Sequence, residues 1–509
     1  MKIVIAGGGT AGWLSALFLA KQNINREDVL SYDVTVIESD DVPIIGAGEG
    51  STGQLGDLLT STLSDFRNLK GFNEQEFFQE CNTTFKLGID CIDWNGIGDR
   101  FLKPLQPSDT SGWIFDRDFA ICSKYGKAEE STPNHFLADE DLAPVFKDLS
   151  SSNLEIGYAY HFDAHKVGKY FKKIALENGI KLQKGTITNT NLNPKNGELQ
   201  NVILSDGTEI ESDFWIDCTG FGRVLSKAVG SEWVSYSEYL PVNKAVVYTH
   251  PFEEGESIKP VTTAWAMPNG WMWQIPTQER YGCGYCYSDK FVSDEQALKE
   301  LQEVTGRNIK ALRTIKFESG RLSEVWKNNV LSVGLSSSFL EPLEATSIHA
   351  TIIQLVQFTQ RHLSPYKDNM MRESNINDSN EHFNMMLDEF RGLIQMHYIT
   401  KRDDTPFWKY VNNDLKRDAL IEKLLEINEY RIPGQDDFPH YKGSAGWGVW
   451  CWVLAGNGLI DKEVLEKSLI THNFEKESEY FYKDRIKQFR SYAKNHLPHT
   501  EFLKWVKEN

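Results

Sequence analysis

Two groups of residues in this chain have types and spacing that could do chemistry. The first is Gly7-Gly8-Gly9-Thr10-Ala11-Gly12, followed by the acid Glu38. In such a unit Gly7 permits a tight turn, Gly9 lets backbone N–H groups approach a pyrophosphate at a helix N-terminus, and Gly12 lets the helix pack closely on the strand before it. Glu38 follows at roughly 25 residues, the separation expected of an acid that accepts from a ribose hydroxyl. The unit suits an unphosphorylated adenosine ribose, as in FAD or NAD. The second group is Gly270-Trp271-Met272-Trp273-Gln274-Ile275-Pro276. Two tryptophans two apart point the same way from a strand, and physics alone reads them as core aromatics before a ligand wall. Two weaker matches carry less. Gly48-Glu49-Gly50-Ser51-Thr52-Gly53 repeats the glycine spelling without a strand before it or an acid after it, and reads as a loop. Cys283-Gly284-Tyr285-Cys286 lies in the alternating segment Tyr281 to Tyr287, with no second pair or nearby histidine, so incidental thiols on a strand are expected rather than a metal or redox site.

These residues need elements to hold them. Met1 to Ala6 reads as a buried parallel strand and Asp33 to Ile37 as its neighbour. Asp213 to Gly220 and Val330 to Gly334 are two further apolar strands that end in small-residue turns. Three such turns would sit together at the carboxyl edge of one sheet, where open α/β folds bind ligands, and an extended cofactor such as FAD uses them best. Short β-rich runs, Val202 to Ser205 and Glu209 to Glu211, indicate additional sheet. From about Ala350 the pattern turns helical, with the polar stretch Ser364 to Glu381 expected as a loop or linker. The expected organisation is an α/β domain over residues 1–355 and a mainly helical region over 356–509 that caps the substrate pocket.

At 509 residues with 40% hydrophobic content the chain can build sizeable cores, and its net charge of −18 with scattered basic residues argues against a nucleic-acid partner. Seven cysteines are too few for a disulfide framework. No apolar run reaches the ~20 residues that span a bilayer, and the opening strand occupies the place of a leader, so a cytoplasmic protein without membrane contact is expected.

The Trp-x-Trp segment resembles the signature of flavin-dependent halogenases. Further segments resemble the tryptophan-halogenase branch in that branch's order: Cys81 to Ile89, Tyr158 to Ala164, Phe339 to Ile348, and Arg402 to Trp408. The resemblance covers about residues 1 to 410. It implies a Rossmann-type FAD-binding core like that of aromatic-hydroxylase flavin monooxygenases, with an added β-sheet. It also implies FAD, supplied as FADH2 by a separate flavin reductase, together with O2, a halide ion and a small aromatic substrate; homo-oligomers are compatible with it. In that family hypohalous acid forms inside the protein and crosses a tunnel to a separate substrate pocket.

By the same resemblance the family lysine falls on Lys86 and the family glutamate on Glu344, with Glu341 three residues earlier as competitor, both carboxylates being expected on one helical face. The amine of Lys86 can be halogenated, or its ammonium can polarise hypohalous acid. Glu344 can stabilise a cationic ring intermediate or take its proton. Thr346 and Ser347 are implied in halide contact. Trp271, Trp273, Ile275 and Pro276 would wall the tunnel on the flavin side. Gly7, Gly9, Thr10, Ala11, Gly12, Glu38, Ala47, Gly334, Leu335 and Ile348 would line the FAD site.

The chain also departs from the family. It reads Glu344-Ala345-Thr346-Ser347 where the family has Glu-Ser-Thr-Gly, and Asp99-Arg100-Phe101-Leu102-Lys103-Pro104 lacks the His-Pro-Phe of tryptophan-specific members. An indole or phenol is therefore expected over free tryptophan, with bromide or iodide used at least as well as chloride. The alternatives are a flavin-dependent aromatic hydroxylase, which would often carry Gly-Asp where this chain has Gly334-Leu335, and a non-catalytic dinucleotide-binding scaffold.

Overall fold

The computed structural model describes residues 1–24, 31–41, 49–60, 65–105, 112–150, 156–438 and 446–509. Its first sheet is built around Lys2–Ala6, which pairs in parallel with Phe214–Asp217 on one side and Asp33–Glu38 on the other. Val330–Ser332 and Lys181–Lys184 extend it in parallel at the two flanks, and Trp326–Lys327 closes one edge as an antiparallel strand. Ile3 and Ile5 enter one core while Val4 and Ala6 enter another, which is why the opening strand is apolar throughout. Ala6 stands opposite Asp217, and Asp217 opposite Ser332, so the three small-residue turns lie side by side as the sequence suggests. The helix Thr10–Asn23 is buried continuously from Gly12 to Ala20, which accounts for its missing polar face.

A seven-stranded sheet holds Gly270–Pro276 between Val261–Met267 and Arg280–Tyr287. Trp271, Trp273 and Ile275 face one core and Met272 the other. Cys286 joins the first of these cores and Cys283 the second, so the two thiols are buried on opposite faces of one strand. Gly88–Ile92 and Arg100–Pro104 complete one flank of the sheet.

A small antiparallel sheet joins Glu49–Gly50, Ala159–Phe162 and Thr84–Lys86. Here the structure corrects the loop expected over Gly48 to Gly53. Gly48 lies outside the described residues, but Glu49–Gly50 is a strand, Ser51 exchanges hydrogen bonds with the backbone of Tyr160, and a helix starts at Gly53. The strand is only two residues long and its partner is more than a hundred positions away, so no local pattern marks it.

Helices dominate after Thr346. The longest, Glu373–His397, begins inside the polar stretch Ser364 to Glu381 that was expected to be loop or linker. Its polar residues serve the fold: Asn380 bonds both the N–H and the carbonyl of Trp326 on the sheet edge, and Asn384 bonds the carbonyl of Ser323. Ser379, Phe383, Met386, Leu387 and Phe390 form its buried stripe. The chain then returns to its beginning. His496–Pro498 pairs with Leu142–Phe146, and Phe502, Leu503 and Val506 of the last helix pack into the N-terminal core. Among the described residues no helix is long and apolar enough to cross a membrane.

Candidate active site

The glycine turn has the form its spacing predicts. Gly7 has φ +115°, and a Cβ there would lie 2.1 Å from the carbonyl oxygen of Cys218. A Cβ on Gly12 would lie 1.9 Å from the carbonyl of Gly7, so only glycine allows this helix to approach the strand. Gly9 is the N-cap of Thr10–Asn23, with no side-chain cap, and a Cβ there would meet nothing within 4 Å. The turn thus presents uncapped helix N–H groups to open space, which fits a pyrophosphate. Glu38 ends its strand beside this turn. Its Oε2 pairs with Lys172 and with Lys184 at 2.9 Å, while among the described residues Oε1 has only Trp13 Nε1 at 3.4 Å. Burial raises the Glu38 carboxyl, but the two lysines outweigh it and hold the group below its ordinary value. An ionised acid with one oxygen held only by a long bond from Trp13 suits a ribose hydroxyl.

The neighbouring turns are tied to this one by a residue sequence reasoning noticed only as a strand end. The buried carboxylate of Asp217 accepts from the backbone of Thr219, Leu225 and Ser226 and from the hydroxyl of Ser336. Gly334, at φ +68°, comes so close to Ala11 that a Cβ would lie 2.6 Å from the alanine methyl. Leu335 is half-buried in the same turn, and Ile348 packs against the N-terminal core. Gly7, Gly9, Thr10, Ala11, Gly12, Gly334 and Leu335 therefore share one edge of the sheet; Ala47 lies outside the described residues.

Lys86 ends the strand Thr84–Lys86 and is 2% exposed. Its Nζ donates to the carbonyl of Ser51 at 3.2 Å, so the second glycine segment is part of this site. His161 is fixed between the hydroxyls of Thr84, 3.2 Å, and Thr262, 2.8 Å. Burial pushes the Lys86 amine down to about 7, with the charge of Lys103 acting in the same direction and Glu344 against it. His161 is lowered well below its usual range, first by burial and then by Lys86.

Glu344 closes the short 3-10 turn Pro342–Glu344 and is buried. Its Oε2 forms an ion pair with Lys103 Nζ, and its Oε1 lies 2.9 Å from His397 Nε2, off the line of a hydrogen bond. Burial alone would raise this carboxyl, but Lys103 and His397 bring it down to about 2. Glu341 is the N-cap of the turn rather than a second helical position, so the expected shared face does not form. Its Oε2 accepts from Trp271 Nε1 at 2.7 Å and from the Tyr398 hydroxyl at 2.6 Å. Burial lifts its carboxyl to about 7 despite both bonds. Trp271 and Trp273 are buried neighbours with ring centroids 6.1 Å apart. Ile275 follows on the same face, and the Pro276 carbonyl accepts from Thr84 at 2.7 Å, so this strand ends against the strand that carries Lys86.

Beyond Glu344, Ala345 takes the left-handed conformation at φ 54° and caps the helix Thr346–Gln357. Thr346 Oγ1 is buried with no hydrogen-bond partner among the described residues, and Ser347 is half-buried beside it. An uncapped helix N-terminus with an unpaired hydroxyl can hold an anion. The segment Arg402 to Trp408 is a clamp: Arg402 pairs with Asp404 at 2.9 Å and bonds the carbonyls of Asp93 and Ala266, while Trp408 bonds that of Met267. Sequence reasoning missed Lys103 and His397 as site residues. Lys103 carried only an indirect signal, lying in the segment Asp99 to Pro104 that lacks His-Pro-Phe; His397 carried none.

The fold thus carries a glycine cradle fit for a dinucleotide and, on other elements, a buried lysine and a buried glutamate. Residues 2–468 match the tryptophan halogenase family, and the chain belongs to it; it is a flavin-dependent halogenase. A 7-chloro-L-tryptophan 6-halogenase of Kutzneria sp. (strain 744) is 30% identical, over 97% of this chain and 98% of the relative. The tryptophan 7-halogenase RebH of Lentzea aerocolonigenes is 31% identical, over 90% of each chain. Among solved structures, Tar14, a tryptophan C-6 flavin-dependent chlorinase from taromycin biosynthesis, superposes with a TM-score of 0.88 at 28% identity, covering 100% of both chains. Members of the family use reduced FAD, O2 and halide.

Proposed function

We propose that this halogenase directs hypohalous acid through an internal tunnel to Lys86 and halogenates an electron-rich aromatic substrate, an indole or phenol, using bromide or iodide at least as well as chloride. The observation that carries this is the burial of Lys86 with no carboxylate in ion-pair contact among the described residues, in electrostatic reach of the ionised Glu344.

Reduced FAD, when bound, supplies with O2 and halide the oxidising power that makes hypohalous acid. The uncapped N–H groups after Gly9 hold its pyrophosphate, Glu38 Oε1 accepts from its ribose, and Gly334, Leu335 and Ile348 line its other end. Thr346 Oγ1 and the N-terminus at Ser347 hold the halide. Trp271, Trp273, Ile275 and Pro276 form the tunnel wall, which keeps bulk water from the oxidant. At the far end, Lys86 with its amine held near neutrality can take the halogen on Nζ, its N–H proton leaving with the hydroxide as water. Glu344, held as a carboxylate, stabilises the positive ring that forms when the substrate takes the halogen, and its Oε1, the oxygen not paired with Lys103, can receive the ring proton. The helical region 356–509 caps the pocket, placing His397 against Glu344 and Tyr398 against Glu341.

The relatives' names specify tryptophan or chlorotryptophan. The absence of His-Pro-Phe from Asp99 to Pro104, together with Ala345 and Ser347, supports a different aromatic here. The test is mass spectrometry of an aromatic panel incubated with the protein, FAD, a separate flavin reductase, NADPH and each halide in turn. Halogen on indoles or phenols in preference to free tryptophan is expected. Added oxygen would make the chain a hydroxylase, preference for free tryptophan would overturn the substrate assignment, and rapid NADPH oxidation without the reductase would overturn the two-component arrangement.

A further inference from the structure

Lys103 is the buried charge at this site that the family pattern does not anticipate. It lies on Arg100–Pro104, at the edge of the seven-stranded sheet, with its side chain 3% exposed. Its ammonium pairs with Glu344 Oε2. Lys86, equally buried, donates to a neutral carbonyl, that of Ser51. Among the described residues the carboxylate that acts on Lys86 is Glu344, and it is already paired with Lys103. A buried charge without a partner costs several kcal/mol, so the amine left over is the one that gives up its proton.

We propose that Lys103 is the positioning residue for both catalytic groups, holding Glu344 ionised and in place while denying Lys86 a counter-ion and so keeping its amine free to accept halogen. This rests on the reading of Lys86 and Glu344 as the reacting pair. The charged and titratable groups that face Lys86 are Lys103 from its strand, Glu344 from the 3-10 turn and His161 from Ala159–Phe162. His161 is held by two hydroxyls and offers no negative charge. Of the neighbouring charges, Lys103 acts most strongly on Lys86 and also most strongly on Glu344.

The measurement is an NMR titration of protein carrying lysine labelled with carbon-13 at the ε position, with the Lys86 signal identified by its loss in Lys86→Met. The native signal should titrate with a midpoint near 7. Lys103→Gln, which keeps hydrogen-bond donors for Glu344 but removes the charge, should raise that midpoint by about one pH unit, a tenfold gain in proton affinity. Lys103→Arg should leave it within a few tenths. If Lys103→Gln does not fold, the paired replacement Lys103→Met with Glu344→Leu removes both charges and should raise the midpoint by a smaller amount. An unmoved or lowered midpoint in the foldable variant overturns the proposal. The pH profile of single-turnover product formation should shift with the NMR midpoint. A moved midpoint with an unmoved profile would remove Lys86 from catalysis while leaving Lys103 in control of its protonation, so the two claims fail separately.

Discussion

Lys86→Met should make the protein more stable while destroying its product. The folded chain holds the Lys86 amine at about 7 instead of the ordinary 10.5, chiefly through burial. Below pH 7 both states carry the proton and the folded one holds it at a cost, so the penalty is fully present there, shrinks between pH 7 and 10.5 where only the unfolded chain keeps it, and vanishes above. That difference is worth about 5 kcal/mol at pH 6 and about 2 kcal/mol at pH 9. Methionine fills similar volume without charge, and loses the bond to Ser51, worth about 1 kcal/mol. The net gain is about 4 kcal/mol at pH 6 and about 1 kcal/mol at pH 9. With an unfolding entropy of about 2 cal/mol/K per residue, each kcal/mol moves the melting temperature of so long a chain by about 1 °C. Differential scanning calorimetry at the two pH values should therefore show a rise of about 4 °C falling to about 1 °C, with halogenated product absent at both. A variant no more stable than the parent at pH 6, or a gain that does not change with pH, would refute the assignment of Lys86 as an amine held below its natural basicity.

Gly9→Val places a side chain in the open space before the first helix, so flavin binding, followed by fluorescence titration, should be lost while circular dichroism stays native; unchanged affinity would mean that the glycine turn does not hold the cofactor. Glu344→Gln should slow product formation by about 10² to 10⁴, the range of a lost general base, while O2 still oxidises the bound reduced flavin at its normal rate in stopped-flow absorbance. The Glu344 carboxyl is held near 2, so its charge is present above the ordinary carboxylate range and disappears only as pH falls through about 2; no acid limb from Glu344 should appear in a product profile above pH 4. Ser347→Gly tests the halide site: competition between chloride and bromide should shift toward chloride, and an identical ranking in parent and variant would assign the preference to the intrinsic ease of oxidising bromide.

What could be read before the structure was whatever lies within one stretch of chain. The unit from Gly7 to Glu38 is a strand, turn, helix and strand in continuous order, so the close approach of Gly12 to Gly7 follows from local spelling, whereas that of Gly7 to Cys218 depends on the neighbouring strand. The alternation of Trp271, Trp273 and Ile275 against Met272 likewise appears as written, on opposite faces of one strand. Lys86 was different. A single lysine has no periodicity that separates it from a surface charge, and only the resemblance of its surroundings to a family singled it out. The clasp between Ser51 and Tyr160, the bond from Lys86 to Ser51, and the approach of His397 to Glu344 each join residues brought together by the sheets rather than by the chain, and nothing in one segment announces the other.

Lys103 shows what a departure from a family pattern can mean once its contacts are known. Read as sequence, the absence of His-Pro-Phe was a subtraction, a reason to doubt free tryptophan. In the structure Lys103, within that segment, occupies one oxygen of Glu344 and its charge opposes a proton on Lys86. A carboxylate with one oxygen already paired has less charge to offer a ring cation, so the substrate must itself carry more of the stabilisation. That demand is met by a ring bearing a nitrogen or oxygen lone pair. On the proposed reading, the demand for an electron-rich ring and the placement of Lys103 go with one ion pair rather than two separate changes.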